Sequence, residues 1–117
     1  MPGRLPRLTR RAEFLACAAK GRKAARPGLV LQVLPQPGAG LRLGFTATKR
    51  LGNAVQRNRA KRRLREAARL ELGGHPGGFD LVLIAREGTA ARPFVTLRGD
   101  LRGALRQASG PARETPP

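Results

Sequence analysis

Residues 49–69 read KRLGNAVQRNRAKRRLREAAR and hold nine basic residues against one acidic residue, Glu66. Small and apolar residues recur at helical spacing in this stretch and just beyond it, at Ala60, Leu64, Ala67, Ala68 and Leu72. Asn53, with Gln56 three residues later, is a variant of the capping box that opens a helix. We therefore predict a helix over residues 54–72 that packs one apolar face and is largely basic elsewhere.

The basic residues of this helix cover a broad part of its surface. Arg57, Lys61, Arg65 and Arg69 follow one row at i, i+4 spacing, and three further arginines flank that row. Neighbouring like charges oppose helix formation by roughly a few tenths of a kcal/mol per pair. The pattern indicates a helix stabilised by its packed face and by a bound anion. Asn58 interrupts the charge with an amide that can both donate and accept, toward phosphate, ribose or a base edge.

The residues before this helix predict one helix and two strands. Thr9 can cap a helix over about residues 10–20, with Phe14, Leu15 and Ala18 on one face. A basic linker, 22–26, precedes an apolar strand over 29–34. Residues 41–48 then alternate between apolar and polar positions, as a strand with one buried face requires. We expect the two strands to form an antiparallel hairpin.

The residues after it predict a strand and a last helix. Residues 79–85 are apolar apart from Asp80, which is typical of a central strand buried on both faces. A helix over about 94–108 places its apolar residues on one side, at Leu97, Leu101, Ala104, Leu105 and Ala108. The predicted fold is a single-domain α+β two-layer sandwich of order αββαβα, with helices packed on a small, mostly antiparallel sheet. Residues 1–8 are predicted to be a flexible basic arm, 9–108 the α+β domain and 109–117 a disordered tail.

The charge of the whole chain indicates a polyanionic partner. Its 117 residues include 24 Lys and Arg against 7 Asp and Glu, a net charge of +17. Nucleic acid is the leading candidate, because phosphates neutralise this charge and release counterions. An acidic membrane is a weaker one. No run approaches the roughly 20 apolar residues of a membrane span, and residues 1–11 do not resemble a signal peptide. We expect no membrane contact and a cytoplasmic location.

The sequence offers little from which to build a protein active site. Cys17 is the only cysteine, which excludes an internal disulfide and a cysteine-based zinc cluster, and it reads as a small buried residue. His75 is the only histidine, and its Gly- and Pro-rich surroundings predict a solvated loop. Paired carboxylates in a motif, a Ser/His/Asp arrangement and a metal-ligand cluster are all missing. We therefore predict no catalytic and no metal-binding residues, which disfavours a stand-alone nuclease.

The basic segment resembles a known family signature. Leu51-Gly52-Asn53-Ala54-Val55, Arg57-Asn58-Arg59, Lys61-Arg62 and Arg65-Glu66 follow one another as in the bacterial ribonuclease P protein family. The order of elements over about residues 8–108 is also similar, including the strand Phe79 to Arg86. Charge alone would not dictate the Gly-Asn pair, the central Asn58 and this spacing together, so the resemblance is specific.

The resemblance implies a division of labour between protein and RNA. The family's RNA subunit carries out Mg²⁺-dependent hydrolysis, with Mg²⁺ bound mainly by that RNA and the substrate. The protein binds the RNA subunit and the 5′ leader of precursor tRNA, as a monomer in a 1:1 ribonucleoprotein. The expected activity is endonucleolytic removal of the leader, which leaves the mature 5′ end of the tRNA.

Site residues follow from the same resemblance. Contacts to the RNA subunit are implied for Arg57, Asn58, Arg59, Lys61, Arg62 and Arg65. The leader is implied to lie in a cleft between the first helix and the sheet, with contacts from Phe14, Thr46, Thr48, Lys49 and Arg50. Phe14 fits both a base-stacking role and a place in the core. Ala18 departs from the family, which often has a second aromatic residue there.

Two further classes of protein match the size and charge of the chain. A structural ribosomal protein would lack the Arg57-Asn58-Arg59 signature and would travel with ribosomal subunits. A DNA-compacting protein would bind duplexes without sequence preference and would leave tRNA maturation unaffected.

Overall fold

The computed structural model of the protein describes residues 6–75 and 77–109. In chain order its main elements are α1 (Arg11–Lys20), β1 (Arg22–Arg26), β2 (Leu29–Pro35), β3 (Arg42–Ala47), α2 (Ala54–Leu72), β4 (Phe79–Ala85), α3 (Glu87–Ala91) and α4 (Phe94–Ser109). A short 3-10 helix, Lys49–Leu51, links β3 to α2. Apart from Ser109, the predicted disordered tail lies outside the described residues.

The four strands form one sheet in the order β1-β2-β4-β3. β1 pairs antiparallel with β2, and β2 pairs antiparallel with β4. β3 and β4 are parallel, and α2 makes the crossover between them. The predicted α+β class and the mostly antiparallel sheet are confirmed, and β4 takes the central place expected from its apolar residues.

The predicted hairpin between β2 and β3 is wrong, because β4 lies between these two strands. Leu81 and Leu83 of β4 join the larger core on one face of the sheet, and Val82 joins a second cluster on the other face. A strand with apolar side chains on both faces loses most if it lies at an edge. The central position of β4 therefore excludes direct pairing of β2 with β3.

The segment predicted as a basic linker, 22–26, is the edge strand β1. Its residues pair with β2 throughout, from Arg22 opposite Val33 to Arg26 opposite Leu29. Ala24 is its one buried residue, and the charged side chains that flank it are typical of an edge strand. The composition of 22–26 gives no sign of a strand, because β1 is held by its pairing with β2 and by the buried methyl group of Ala24 and not by local propensity.

The larger core lies between the sheet and the helices α2 and α4. The buried α2 residues are those of the predicted stripe: Ala60, Leu64, Ala67, Ala68 and Leu72. They pack with Leu97, Leu101 and Ala104 of α4 and with the Leu81 side of the sheet. The sheet and these two helices form the predicted two-layer sandwich. On the opposite face of the sheet, α1 forms a third layer, and Leu8, Cys17 and Val82 form the second cluster beneath it.

The predictions for α1 need two corrections. Its N-cap is Arg10 and not Thr9, and Glu13 Oε1 accepts hydrogen bonds from the backbone N–H groups of Thr9 and Arg10, at 3.0 and 2.9 Å. Leu15 and Ala18 are exposed, while Cys17 is fully buried and Phe14 half-buried. Cys17 and Phe14, three residues apart, thus define the packed face.

The predicted arm is shorter than residues 1–8, because its described part belongs to the sheet. Leu8 N–H donates to Leu43 O at 2.8 Å, and Leu43 N–H donates to Pro6 O at 2.9 Å. Leu8 is buried in the cluster beneath α1. Residues 1–5 lie outside the described residues.

Candidate nucleic-acid interface

The cationic surface of α2 rests on a well-defined helix start. Asn53 Oδ1 accepts from Gln56 N–H, and Gln56 Oε1 accepts from Asn53 N–H, both at 2.9 Å. The capping box predicted from the sequence is therefore formed. Because the buried stripe faces the sheet and α4, the positions between its members point the basic side chains away from the core.

The six residues predicted to contact an RNA subunit lie on one helix and differ in exposure. Asn58, Arg59 and Arg62 are exposed, and Arg57, Lys61 and Arg65 are half-buried. Arg57 Nη1 donates to Gly52 O at 2.7 Å, which ties it to the loop before the helix. In the described part of the chain, the side chains of the other four basic residues make no hydrogen bond or ion pair: Arg59, Lys61, Arg62 and Arg65. Their donors are available to an external anion.

Two further arginines of the same helix, Arg63 and Arg69, are also held by the protein itself. Arg63 Nε donates to Thr89 O at 3.1 Å, its Nη2 donates to Arg92 O, and its guanidinium lies 5.7 Å from the centre of the Phe94 ring. Arg69 is paired with Glu66, with Nε to Oε1 at 3.2 Å. Both belong to the cationic sequence pattern, but only Arg63 joins α2 to another part of the fold.

A cleft of about 530 Å³ opens between α1 and the sheet. Phe14 and Thr46, two of the predicted leader contacts, line it, and so does Ala18. The remaining lining residues are Thr9, Arg11, Leu15, Gln32, Phe45, Val82 and Ile84. The cleft has a mainly apolar floor and walls, with hydroxyl groups and Arg11 among its polar members.

Phe14 serves both the core and the cleft. Its ring packs against Gly44 of β3 and joins the cluster of Leu8, Cys17 and Val82. It is nonetheless half-buried and lines the cleft. The two roles left open by the sequence are therefore compatible in this structure, since one part of the ring packs and another part borders open space.

An ion network fixes α1 over the sheet. Arg42 of β3 donates to both carboxylate oxygens of the buried Asp80, Nε to Oδ1 at 2.9 Å and Nη2 to Oδ2 at 2.8 Å, and its Nη1 donates to Glu13 Oε2 at 2.7 Å. Gln36 Nε2 also donates to Asp80 Oδ2, at 3.2 Å. Arg42 therefore joins α1 to β3 and β4, the elements between which the cleft opens.

The network and the burial of its neighbours shift several pKa values. Hydrogen bonds from the backbone of Arg10 and Thr9, followed by the charge of Arg42, lower the pKa of Glu13. The hydrogen bond to Asp80 raises the pKa of Arg42. Burial, followed by the charge of Asp80, raises the pKa of Cys17 to about 11. The Cys17 thiol is therefore neutral at physiological pH, and its predicted role as a small buried residue is confirmed.

The other three predicted leader contacts do not line the cleft. Thr48 follows β3, and Lys49 and Arg50 lie in the 3-10 helix, all three exposed. Arg50 instead borders a second cavity of about 370 Å³, together with Arg59, Arg86, Glu87, Leu51, Gln56, Ala60 and Ala90. The structure thus brings Arg50 next to Arg59, a residue assigned to the other set, and joins them with Arg86.

Sequence reasoning missed three residues of this surface. Gln32 is the one polar residue in the apolar strand β2, and that irregularity could have marked it. Phe45 is one of the apolar positions in the alternation of residues 41–48, and it also lines the cleft, with the Arg7 guanidinium 5.4 Å from its ring centre. Arg86 lies next to Arg59 only through the packing of α3 on α2, and no local signal marks it.

The described residues provide neither a cluster of metal ligands nor a helix that could cross a membrane. Within residues 6–75 and 77–109, no three His, Cys, Asp or Glu side chains come together in a group that could hold a metal ion. None of the helices in these ranges combines the length and apolar character needed to cross a bilayer. His75 lies in its predicted loop, where its Nδ1 accepts from Gly77 N–H at 2.9 Å.

The fold and this surface define a class of protein: a small α+β domain whose sheet carries a cationic helix on one face and an open cleft, under a second helix, on the other. Known proteins of that class match the chain over nearly its whole length. The sequence model of the family described as Ribonuclease P matches residues 3–109. A ribonuclease P protein component from Gluconacetobacter diazotrophicus is 54% identical over 110 residues, which cover 92% of this chain and 95% of that protein.

Solved structures of ribonuclease P proteins have a similar fold. The RNase P protein of Staphylococcus aureus is 28% identical with a TM-score of 0.76, over 90% of this chain and 96% of that one. The Thermotoga maritima protein is 31% identical with a TM-score of 0.74, over 86% and 96% of the two chains. The chain belongs to the ribonuclease P protein family, the protein components of a tRNA-processing ribonucleoprotein.

Proposed function

We propose that this protein binds the catalytic RNA subunit of ribonuclease P through α2 and holds the 5′ leader of precursor tRNA in the cleft beside α1. The observation that carries the proposal is the set of four basic α2 side chains without a protein partner in the described part of the chain: Arg59, Lys61, Arg62 and Arg65. Guanidinium and ammonium groups without acceptors bind phosphate readily, and Asn58 among them adds a neutral donor and acceptor.

The RNA subunit, in this proposal, performs the endonucleolytic step. Magnesium ions, which that RNA and the substrate would hold, would supply the positive charge for hydrolysis. The residues of this chain fit a supporting role, since the acidic side chains of the cleft region are engaged by Arg42. The protein binds as a monomer in a 1:1 complex, in the cytoplasm, and reduces the repulsion between two RNAs.

The cleft supports a separate site for the leader. An aromatic ring at its wall gives a stacking platform for an unpaired base, and Arg11 at its edge gives a positive charge for the backbone. The exposed Thr48, Lys49 and Arg50 follow β3 out of the cleft toward Arg59. A strand leaving the cleft along this path would meet phosphate-binding side chains.

Reconstitution with a transcribed RNA subunit tests the assignment. We expect the protein to enhance cleavage of precursor tRNA at low Mg²⁺ and to be inactive by itself. Cleavage by nuclease-treated, repurified protein without RNA would contradict it. Preferential binding to ribosomal RNA or to DNA duplexes, without an effect on tRNA maturation, would instead favour a ribosomal or DNA-compacting protein.

The leader site is tested by comparing precursor tRNA with mature tRNA. The reconstituted enzyme should bind the precursor more tightly, and Phe14→Ala should reduce that difference. Val95→Ala is a matched control, because Val95 is an exposed apolar residue of α4 outside the cleft. An unchanged difference in the Phe14 variant would remove Phe14 from the leader site.

A further inference from the structure

The Arg42 side chain is fixed by the sheet and reaches α1. Arg42 of β3 lies opposite Asp80 of β4, and its Nε and Nη2 donate to the two carboxylate oxygens of Asp80 at 2.9 and 2.8 Å. The Asp80 side chain is 2% exposed, and a bidentate pair of this kind fixes the plane of the guanidinium. The remaining nitrogen, Nη1, points to α1 and donates to Glu13 Oε2 at 2.7 Å.

Glu13 carries this contact to the start of α1. Its other carboxylate oxygen, Oε1, accepts from the backbone N–H groups of Thr9 and Arg10, at 3.0 and 2.9 Å. A single carboxylate thus joins a guanidinium on the sheet to the backbone at the beginning of the helix. Among the residues that the structure describes, this is the one ion pair between α1 and the sheet. It therefore holds the first turn of α1 against β3.

The next residue of α1 carries the ring at the cleft. Phe14 follows Glu13 directly, and its ring packs on Gly44. Gly44 and Arg42 are two residues apart, so they share one face of β3. Packing holds the ring only in part, because Phe14 is half-buried and Cys17 is the one buried residue of α1. The ion pair beside the ring supplies a second attachment.

We propose that Arg42 is a positioning residue for the leader site: through Glu13 it holds the Phe14 ring in the pose that receives the leader strand. The inference rests on the proposed leader site and concerns how that site keeps its shape. A wall that is already in place loses less conformational entropy when RNA binds, which strengthens the complex. Arg42 therefore contributes to the preference for precursor over mature tRNA without contacting either RNA.

Glu13→Gln removes the bond to Arg42 and keeps the start of α1. Its amide oxygen can still accept from the backbone N–H groups of Thr9 and Arg10, while an amide NH₂ group replaces the oxygen that faces Arg42. The full chain is reconstituted with a transcribed RNA subunit, and its affinities for precursor and for mature tRNA are measured. We expect the ratio of the two affinities to fall about threefold or more. A ratio that stays at the wild-type value would overturn the inference.

Glu71→Gln is the matched control for a loss of stability. Glu71 of α2 accepts from Arg98 Nε at 2.6 Å and from Arg102 Nη1 at 2.9 Å. The same substitution therefore breaks an ion bridge between α2 and α4, on the other face of the sheet from the cleft. Both variants should lower the melting temperature, but only Glu13→Gln should lower the affinity ratio. An equal fall of the ratio in both would overturn the inference, because instability alone would then explain it.

A double-variant cycle tests whether Glu13 acts through the ring. Phe14→Ala removes the group that is to be positioned, so Glu13→Gln should lower the affinity ratio in the wild-type background and leave it unchanged in the Phe14→Ala background. Effects that simply add would mean that Glu13 acts separately from Phe14, and would overturn the inference.

Arg42→Lys tests the other end of the bridge. The ammonium group keeps a positive charge beside the buried Asp80, which protects the fold, but it lacks the planar fork that reaches two carboxylates at once. Arg42→Lys should therefore lower the affinity ratio as Glu13→Gln does, and a ratio at the wild-type value would count against Arg42 as the positioning residue.

The wild-type protein separates this inference from the leader site itself. Tighter binding of precursor than of mature tRNA, unchanged in Glu13→Gln and Arg42→Lys, would leave the leader site in place and overturn only the role of Arg42. Equal binding of precursor and mature tRNA by the wild-type enzyme would overturn both.

Discussion

The Phe14 ring lies so close to Gly44 that a Cβ built on Gly44 would come within 2.5 Å of Phe14 Cε1 and 2.7 Å of Phe14 Cζ. Ring and backbone are in contact across the cluster that attaches α1 to the sheet. The absence of a side chain at residue 44 therefore determines how deeply Phe14 sits in the cleft wall.

Gly44→Ala should displace the ring and lower the free energy of unfolding by about 1–3 kcal/mol, the usual cost of overpacking. It should also weaken binding of precursor relative to mature tRNA, since a displaced ring no longer presents the same stacking surface. Gly74→Ala is the control, because no atom lies within 4 Å of a Cβ built there. Urea unfolding and tRNA binding measure the two effects. Equal behaviour of the two variants would show that the Phe14 position is not set by Gly44.

Arg59→Ala combined with Arg62→Ala should make binding to the RNA subunit less sensitive to salt. Both side chains are exposed and make no hydrogen bond or ion pair in the described part of the chain. The slope of log K against log salt should fall by about one unit for each lost phosphate contact. Arg69→Ala is the control within the same helix, because Arg69 is paired with Glu66. A slope that the double variant leaves unchanged would mean that these arginines do not contact RNA.

Arg63→Ala should instead weaken the fold. It removes hydrogen bonds to the carbonyl groups of Thr89 and Arg92 and the contact with the Phe94 ring. Losing a donor to part-buried carbonyl groups costs about 1–3 kcal/mol. Urea unfolding should show this loss, while the salt dependence of RNA binding by the folded variant stays close to that of the wild type. Wild-type stability together with a reduced slope would place Arg63 in the RNA-binding set.

Acid should loosen the attachment of α1 through Glu13. The pKa of Glu13 is lowered from its ordinary value of 4.5, mainly by hydrogen bonds from the backbone of Arg10 and Thr9. A lowered pKa in the folded state means that the carboxylate stabilises the fold above pH 4.5, and that this contribution is lost as the pH falls through the lowered pKa. Glu13→Gln should therefore be less stable than the wild type at neutral pH and lose less stability in acid. Parallel stability curves for the two proteins between about pH 6 and 3 would contradict this prediction.

The two elements that organise the fold were predictable from local pattern. α2 has the predicted bounds, cap and buried stripe, because a capping box and an apolar period are properties of neighbouring residues. β4 was predicted as the central strand from its nearly continuous apolar run. β1 and α3 were not predicted. β1 is held by pairing with β2, and the short α3 is closed by Thr89 Oγ1, which accepts from Arg86 N–H at 2.7 Å and donates to Gly28 O at 2.6 Å.

The basic residues of α2 could be found from the sequence, but their individual roles could not. Arg59 and Arg63 look alike in the one-letter code, four residues apart on the same helix. One is exposed, and the other is held by the carbonyl groups of Thr89 and Arg92. Only the position of α3 against α2 distinguishes them, and that position results from packing between distant segments.

The sequence by itself determined the cationic helix, the family signature and the apolar character of the central strand, because each depends on residues that are close in the chain. Tertiary structure decided which strands flank β4, which arginines remain available, and that Phe14, Gln32 and Thr46 border one cleft. Those relationships depend on the crossover through α2 and on the bridge from Arg42 to Asp80 and Glu13, which bring together residues far apart in the sequence. Periodicity describes one element at a time and carries no information about which elements meet.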